Sequence, residues 1–315
     1  MTVVIDPFAL ADPVQAVLAA HDSRQRIALS TSGTTTSPRT LVRTTDSWWR
    51  SFDAYGRLTG VARGGRLWVP GPLTATMNLF AAVHATVVGA QIVGTPGEAT
   101  DACLTPAQLD RLGHLLRDDA RICVAGARLP ERLVSERVVC YYGAAELSFV
   151  AGGGGREGLR PFEGVEVDLR DGEIWVRSEY LCDGYAQGGS GPLRVDPSGY
   201  ATVGDLGEWR GATLFVIGRP EYITTAGATV SVAQIEAHLS RYARAPFAVY
   251  ADPHPTLGEV VAVAVVEPRD ADSLARGART LPTSMRPRRV VVVAELPMTA
   301  AGKVSRAALA GAQHA

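Results

Sequence analysis

A segment dense in hydroxyl side chains is the first part of the sequence that could do chemistry. It reads S-T-S-G-T-T-T-S-P-R over residues 30–39 and directly follows an apolar stretch at residues 26–29. Backbone N–H groups beside a glycine, several hydroxyl donors and a terminal arginine together favour an anion such as a triphosphate. A solvated turn rich in serine and threonine is the alternative that composition alone would favour.

Three further segments place a single charged residue among small or apolar ones. Y-Y-G-A-A-E ends in Glu146, V-G-D-L-G contains Asp205, and L-P-M-T-A-A-G-K ends in Lys303. A carboxylate suits a hard cation such as Mg²⁺, and a lysine suits a position where negative charge accumulates. A β-turn aspartate and a solvated lysine near the chain terminus are the alternatives for Asp205 and Lys303.

Composition limits the class of protein that must position these residues. With 315 residues, 46% of them hydrophobic, the chain can bury a large core and is expected to form two domains. Its 31 basic and 32 acidic residues nearly cancel, so neither nucleic acid nor a membrane is an expected partner. The absence of a long apolar run and of a leader pattern predicts a cytoplasmic protein. The four cysteines have no C-x-x-C pairing and are expected to be reduced structural thiols.

Hydrophobic periodicity predicts an α/β arrangement up to about residue 164, where the pattern of apolar and polar residues changes. Before it, we expect one helix at residues 77–88 and strands at residues 67–69, 90–93, 121–125 and 137–142. After it, alternating patterns predict short antiparallel strands at residues 165–169, 173–177 and 213–217. Beyond residue 218, we expect a helix near residues 232–242, strands at 247–250, 260–266 and 289–293, and a polar stretch at 267–282.

In this order the segments resemble the motifs of the adenylate-forming enzymes, the superfamily of acyl-CoA synthetases, peptide-synthetase adenylation domains and luciferases. The phosphate loop T-S-G-T-T-G-x-P-K is matched with Thr36 in place of glycine and Arg39 in place of lysine. The motif Y-G-x-T-E is matched with Ala145 in place of threonine, and the terminal L-P-x-T-x-x-G-K is matched closely. Short acyl-CoA ligases and o-succinylbenzoate-CoA ligase-like proteins look most similar, and the short stretch before the phosphate loop implies a truncated N-terminal part.

The resemblance implies a role for each matching residue. Lys303 would bridge the carboxylate and the α-phosphate, Glu146 would act in catalysis and hold Mg²⁺, Glu221 would be the hinge, and Gly227 would line the path of a thiol. The residues implied to bind ATP are Thr31, Ser32, Gly33, Thr34, Thr35, Thr36, Arg39, Gly126, Ala127, Tyr142, Gly143, Ala145, Asp205 and Arg219.

The fold implied is α/β: a shortened adenylate-forming enzyme fold with a large N-terminal α/β domain and a small mobile C-terminal α+β domain. Residues 1–218 would bind ATP and the acid, and residues 219–315 would carry the catalytic lysine loop. The reaction implied is carboxylate plus Mg·ATP giving acyl-AMP, followed by transfer to CoA or to the phosphopantetheine of an acyl carrier protein. An amine acceptor, a catalytically silent nucleotide- or partner-binding homologue, and a homodimer are left open.

Overall fold

The computed structural model describes residues 3–31, 39–127, 129–154, 156–189, 191–218, 221–225, 228–299 and 303–312. Contacts divide the chain into two units, one running to Val216 and the other starting at Ile217. Each unit has hydrophobic clusters of its own. None of the helices within these described ranges is both long and apolar enough to cross a bilayer.

The helices and strands that begin in the first unit are these, in chain order. The helices are α1 (Pro13–Asp22), α2 (Asp46–Trp49), α3 (Phe52–Thr59), α4 (Thr76–Val88) and α5 (Pro106–Leu112). The strands are β1 (Val4–Ile5), β2 (Arg26–Thr31), β3 (Arg39–Thr44), β4 (Arg66–Trp68), β5 (Gln91–Val93), β6 (Asp101–Leu104), β7 (Arg121–Val124), β8 (Val138–Ala144), β9 (Ser148–Gly154), β10 (Arg160–Pro161), β11 (Glu166–Arg170), β12 (Glu173–Arg177), β13 (Gly184–Tyr185), β14 (Arg194–Val195), β15 (Ala201–Thr202), β16 (Leu206–Arg210) and β17 (Thr213–Gly218).

A largely parallel sheet forms the centre of the first unit. Its strand order is β10-β9-β8-β7-β6-β4-β5, and the run from β8 to β5 is parallel. Helix α4 connects β4 to β5; its residues from Asn78 to Ala85 are all buried, as expected of a largely apolar helix, and Gly89, with φ 79°, caps its C-terminus. Because the carboxyl ends of β6, β7 and β8 meet at one edge, the segments after them are brought together.

Two smaller sheets complete this part of the fold. One has the order β1-β2-β3-β13, and the other has the order β14-β15-β12-β16-β17 with β11 paired to β12. The antiparallel pairs that alternation predicted after residue 164 are confirmed here. Strand β13 pairs with β3 so that Tyr185 lies opposite Leu41, a long-range pairing that the sequence pattern did not predict.

The second unit is built on one five-stranded sheet. Its elements are β18 (Tyr222–Thr225), β19 (Ala228–Ser231), α6 (Val232–Leu239), β20 (Phe247–His254), β21 (Gly258–Val265), α7 (Pro268–Ala278), β22 (Arg289–Val292) and α8 (Arg306–Ala312). The polar stretch predicted at residues 267–282 is largely helical. Its Ala271, Leu274 and Ala278 fall on one face toward the core, and Pro268 occupies a first-turn position.

Candidate active site

The side chains of Tyr142 and Asp205 meet at the carboxyl end of the parallel sheet. The Tyr142 hydroxyl donates to Asp205 Oδ2 at 2.8 Å, although the two residues are 63 positions apart. Tyr142 is on β8, and Asp205 is in the tight connection between β15 and β16. That connection is held by Gly204, with φ 83°, and by Ile174, whose N–H donates to the Asp205 carbonyl at 2.8 Å. Two residues predicted separately are therefore in direct contact.

A tight hairpin turn follows Tyr142 and joins β8 to β9. A Cβ on Gly143 would lie 2.0 Å from the Ser148 carbonyl oxygen, so the backbone approach requires glycine. The strand register shifts between Tyr142 and Gly143, and Ser148 has φ 62°. The backbone geometry of the turn therefore explains why residue 143 is glycine. The contact of Gly143 with a nucleotide stays a prediction.

Glu146 lies in this turn and is only 7% exposed. Its Oε1 accepts a hydrogen bond from the Tyr185 hydroxyl at 2.9 Å, and its carbonyl accepts one from Cys182 N–H at 3.0 Å. Both donors belong to the short segment that ends in β13. Burial, followed by the nearby Glu146 charge, raises the pKa of Tyr185 to about 12, so the hydroxyl stays protonated. Sequence reasoning missed Tyr185, because its spacing to the other candidates carries no signal.

A buried arginine supports the same turn. Arg43, on β3, is 1% exposed and donates to Ser47 Oγ at 3.1 Å, to Ser148 Oγ at 3.4 Å and to the Tyr180 carbonyl at 2.6 Å. Burial lowers the pKa of Arg43 to about 10, and nearby acidic groups including Glu146 oppose that shift. The guanidinium therefore stays positive at neutral pH and offsets part of the cost of burying the Glu146 carboxylate.

The ends of the predicted phosphate loop lie opposite each other in the sheet. Thr31, at the end of β2, pairs in register with Arg39 at the start of β3. Tyr185 pairs with Leu41, two positions along β3 from Arg39, so Arg39 and Tyr185 lie on the same face of that sheet. Ser32, Gly33, Thr34, Thr35 and Thr36 lie outside the described residues.

The predicted adenine-pocket residues follow another strand of the parallel sheet. Gly126 and Ala127 come just after β7 and are exposed, and Gly126 has φ 92°. Since β7 is the parallel neighbour of β8, this segment leaves the sheet at the same edge as the turn that carries Ala145, which is partly buried.

The second unit carries the predicted lysine loop and hinge residue. Lys303 is exposed; its N–H donates to Thr299 Oγ1 at 3.2 Å and its carbonyl accepts from Thr299 N–H at 2.7 Å. Glu221 pairs with Arg306 at 2.7 Å, and Arg306 also bonds Glu236 at 2.9 Å. Arg219 and Gly227 lie outside the described residues.

The described residues contain no group of three or more histidine, cysteine or acidic side chains that could hold a metal ion. Glu146 is therefore a single-carboxylate candidate. Mg²⁺ commonly keeps several waters and takes one or two carboxylates together with substrate phosphates, so a lone buried glutamate fits it.

Comparison with known proteins identifies relatives of both units. Residues 234–303 match the family described as the AMP-binding enzyme C-terminal domain. The chain is 24% identical to the uncharacterized acyl-CoA ligase YhfT of Bacillus subtilis (strain 168), over 95% of this chain and 70% of that protein.

Two solved structures show the likeness of fold. The amide bond synthetase McbA from Marinactinospora thermotolerans superposes with a TM-score of 0.72 at 23% identity, covering 90% of this chain and 69% of that one. The o-succinylbenzoate CoA synthetase (MenE) from Bacillus subtilis, in complex with the acyl-adenylate intermediate OSB-AMP, gives 0.71 at 22% identity, covering 90% and 68%. The chain thus spans about 70% of the length of these relatives, and the fold that the motif order predicted is confirmed.

Proposed function

We propose that this chain, which has the fold of the adenylate-forming enzymes and carries their C-terminal domain at residues 234–303, activates a carboxylic acid with ATP and passes the acyl group to a thiol. The observation that carries the proposal is the hydrogen bond between Tyr142 and Asp205. Each residue is predicted at the adenosine site from its own motif, and an unrelated strand residue and turn residue 63 positions apart have no reason to meet.

In the proposed first half-reaction, a carboxylate oxygen of the acid attacks the α-phosphorus of ATP. The bond from that phosphorus to the bridging oxygen breaks, and pyrophosphate leaves. Residues 1–218 bind the reactants: the Tyr142 ring stacks on adenine beside Gly126 and Ala127, while Asp205 accepts the ribose hydroxyls. A carboxylate has about four acceptor positions, so ribose can donate to Asp205 while Tyr142 does so.

The phosphates are proposed to lie between the loop at residues 31–36 and Glu146. Arg39 supplies positive charge at the end of the loop, and Arg219 contacts ribose and phosphate. Glu146 ligates Mg²⁺, which when bound neutralises charge on the phosphates. Ala145 leaves the α-phosphate without the hydroxyl that the family motif places there, and a bound water or a loop hydroxyl would supply that hydrogen bond.

Residues 219–315 are proposed to act as a mobile domain that serves two half-reactions. Lys303, exposed on its loop, stabilises the negative charge that accumulates during adenylation. Rotation about Glu221 then replaces the lysine loop with the segment at Gly227, where a narrow pantetheine thiol enters. The thiol sulfur attacks the acyl carbon, the thioester bond forms and AMP leaves.

The acceptor is proposed to be CoA or the phosphopantetheine of an acyl carrier protein. The name of the relative YhfT, an acyl-CoA ligase, supports the thiol. The likeness to the amide bond synthetase McbA favours an amine as the second candidate. Since ATP and CoA are cytoplasmic pools, the proposed reaction belongs in the cytoplasm. A second copy of the chain, forming a homodimer, is the other protein partner within the proposal.

The test is ATP–pyrophosphate exchange with a panel of aryl, short-chain and long-chain acids. The proposal predicts exchange that depends on one class of acid and on Mg²⁺. A second assay then offers CoA, a phosphopantetheine-loaded carrier protein and simple amines to the enzyme with its activated acid. Failure of every acid to support exchange, with ATP still bound, would mean a silent nucleotide-binding homologue instead of an enzyme.

A further inference from the structure

Tyr185 is positioned by contacts that hold its hydroxyl beside Glu146. Strand β13 pairs with β3, and the N–H groups of Asp183 and Ala186 donate to the carbonyls of Val42 and Thr40, both at 2.9 Å. These bonds fix the backbone on either side of the tyrosine. The strand that holds it begins at Arg39, so the tyrosine is tied to the end of the predicted phosphate loop.

The ring of Tyr185 is also enclosed at its tip. A Cβ on Gly191 would lie 2.1 Å from both the Cζ and the hydroxyl oxygen of Tyr185, so this close approach is open only to glycine. A Cβ on Gly189 would lie 3.3 Å from the Tyr185 Cβ. Gly189 and Gly191 therefore pack closely against the tyrosine and leave its hydroxyl little freedom to move.

The hydrogen-bond pattern fixes the direction of the hydroxyl proton. The Leu193 N–H approaches the Tyr185 oxygen at 3.3 Å and can only donate, so the hydroxyl accepts there and directs its proton to Glu146 Oε1. Glu146 receives this charge-assisted bond in a buried position. A carboxylate that is oriented in this way loses less freedom when its other oxygen takes a cation.

We propose that Tyr185 is a positioning residue that orients the Glu146 carboxylate toward the Mg²⁺ and phosphates of bound ATP. The proposal rests on the proposed function of Glu146 and adds a residue from a different strand to it. Tyr185 acts through Glu146, and the pairing of Tyr185 with Leu41 puts it on the same sheet face as Arg39. Partners that hold a metal ligand in place are typically worth about 10- to 100-fold in metal affinity.

The test uses Tyr185→Phe, with Tyr200→Phe as a matched control. The Tyr200 hydroxyl also donates to a glutamate, Glu166 Oε2, at 3.0 Å, but this bond is exposed and neither residue is proposed to bind ATP or Mg²⁺. Calorimetry measures binding of ATP with Mg²⁺ and of ATP in EDTA. We expect Tyr185→Phe to weaken Mg·ATP binding by about tenfold or more and metal-free ATP binding by less than about twofold. Tyr200→Phe should change neither.

Gly191→Ala supplies a second perturbation. It keeps the tyrosine side chain, but the added Cβ would push its hydroxyl away from Glu146. It should reproduce the loss that is specific to Mg²⁺, and it carries the test if Tyr185→Phe does not fold. Equal weakening of both ATP forms, or no change in either, overturns the positioning role. If the wild-type chain shows no Mg²⁺-dependent ATP binding, the proposed function itself is wrong, and the two failures are thereby distinguished.

Discussion

Replacing Tyr142 by Phe tests the geometry of the proposed adenosine site most directly. The change keeps the ring that would stack on adenine and removes only the hydroxyl, which donates to Asp205 Oδ2 at 2.8 Å. A hydrogen bond to a charged group is typically worth about 1.5–3 kcal/mol. Because both side chains are only partly buried, we expect a contribution at the lower end of this energy range. A free-energy difference of about 1.4 kcal/mol corresponds to a tenfold change in affinity.

The assay compares the dissociation constants of ATP and of 2′,3′-dideoxy-ATP, measured by calorimetry. If Tyr142 orients Asp205 toward the ribose hydroxyls, Tyr142→Phe should weaken ATP binding by about tenfold. The dideoxy nucleotide has no ribose hydroxyl to donate, so its binding should change by less than about twofold. The wild-type chain should already bind the dideoxy form more weakly than ATP.

Tyr141→Phe is the matched control, since it removes the neighbouring hydroxyl from the same strand. The Tyr141 ring packs against Phe149 and Tyr55 in the aromatic core, with ring centroids 4.7 and 6.1 Å away. It should leave both nucleotide affinities unchanged. Equal losses for ATP and the dideoxy nucleotide in Tyr142→Phe would refute the reasoning, because the hydroxyl would then act through the ring or the fold and not through ribose.

Three further predictions concern catalysis and stability. Lys303→Ala should slow acyl-AMP formation by about 10²–10³ yet still consume chemically supplied acyl-AMP; adenylation within about threefold of wild type would contradict its role. Gly143→Ala should lower the free energy of unfolding in urea by about 2–3 kcal/mol, because its Cβ meets the Ser148 carbonyl at 2.0 Å, and an unchanged midpoint would contradict the close approach. Burial lowers the pKa of His84 to about 4, so the unfolded chain binds the proton more readily and stability falls as the pH drops from about 6.5 to about 4. When the pH falls from 7.5 to 5, the free energy of unfolding of His84→Leu should decrease by about 2 kcal/mol less than that of the wild type. Identical pH profiles would show that His84 does not titrate in this way.

Much of the secondary structure could be predicted from the sequence because its signals are local. The helix expected at residues 77–88 is α4, and the strands expected at residues 121–125 and 173–177 are β7 and β12. Apolar periodicity reports which face of an element is buried. It predicted only a polar stretch at residues 267–282 and no helix, because charged side chains separate the few apolar positions on the core-facing side of α7.

The sequence by itself determined which class of chemistry to propose, because the motifs around Glu146, Asp205 and Lys303 are short segments that can be recognised without knowing what they contact. Only the tertiary structure decided how Glu146 is held. Tyr185 is 39 positions from Glu146, and Arg43 is 105 positions from the Ser148 that it bonds. The first contact depends on the pairing of β13 with β3, and the second joins β3 to β9, which belongs to a different sheet. Local propensity and periodicity do not specify such long-range contacts, because they describe one segment at a time. The free energy of a buried hydrogen bond depends on the two segments that it joins.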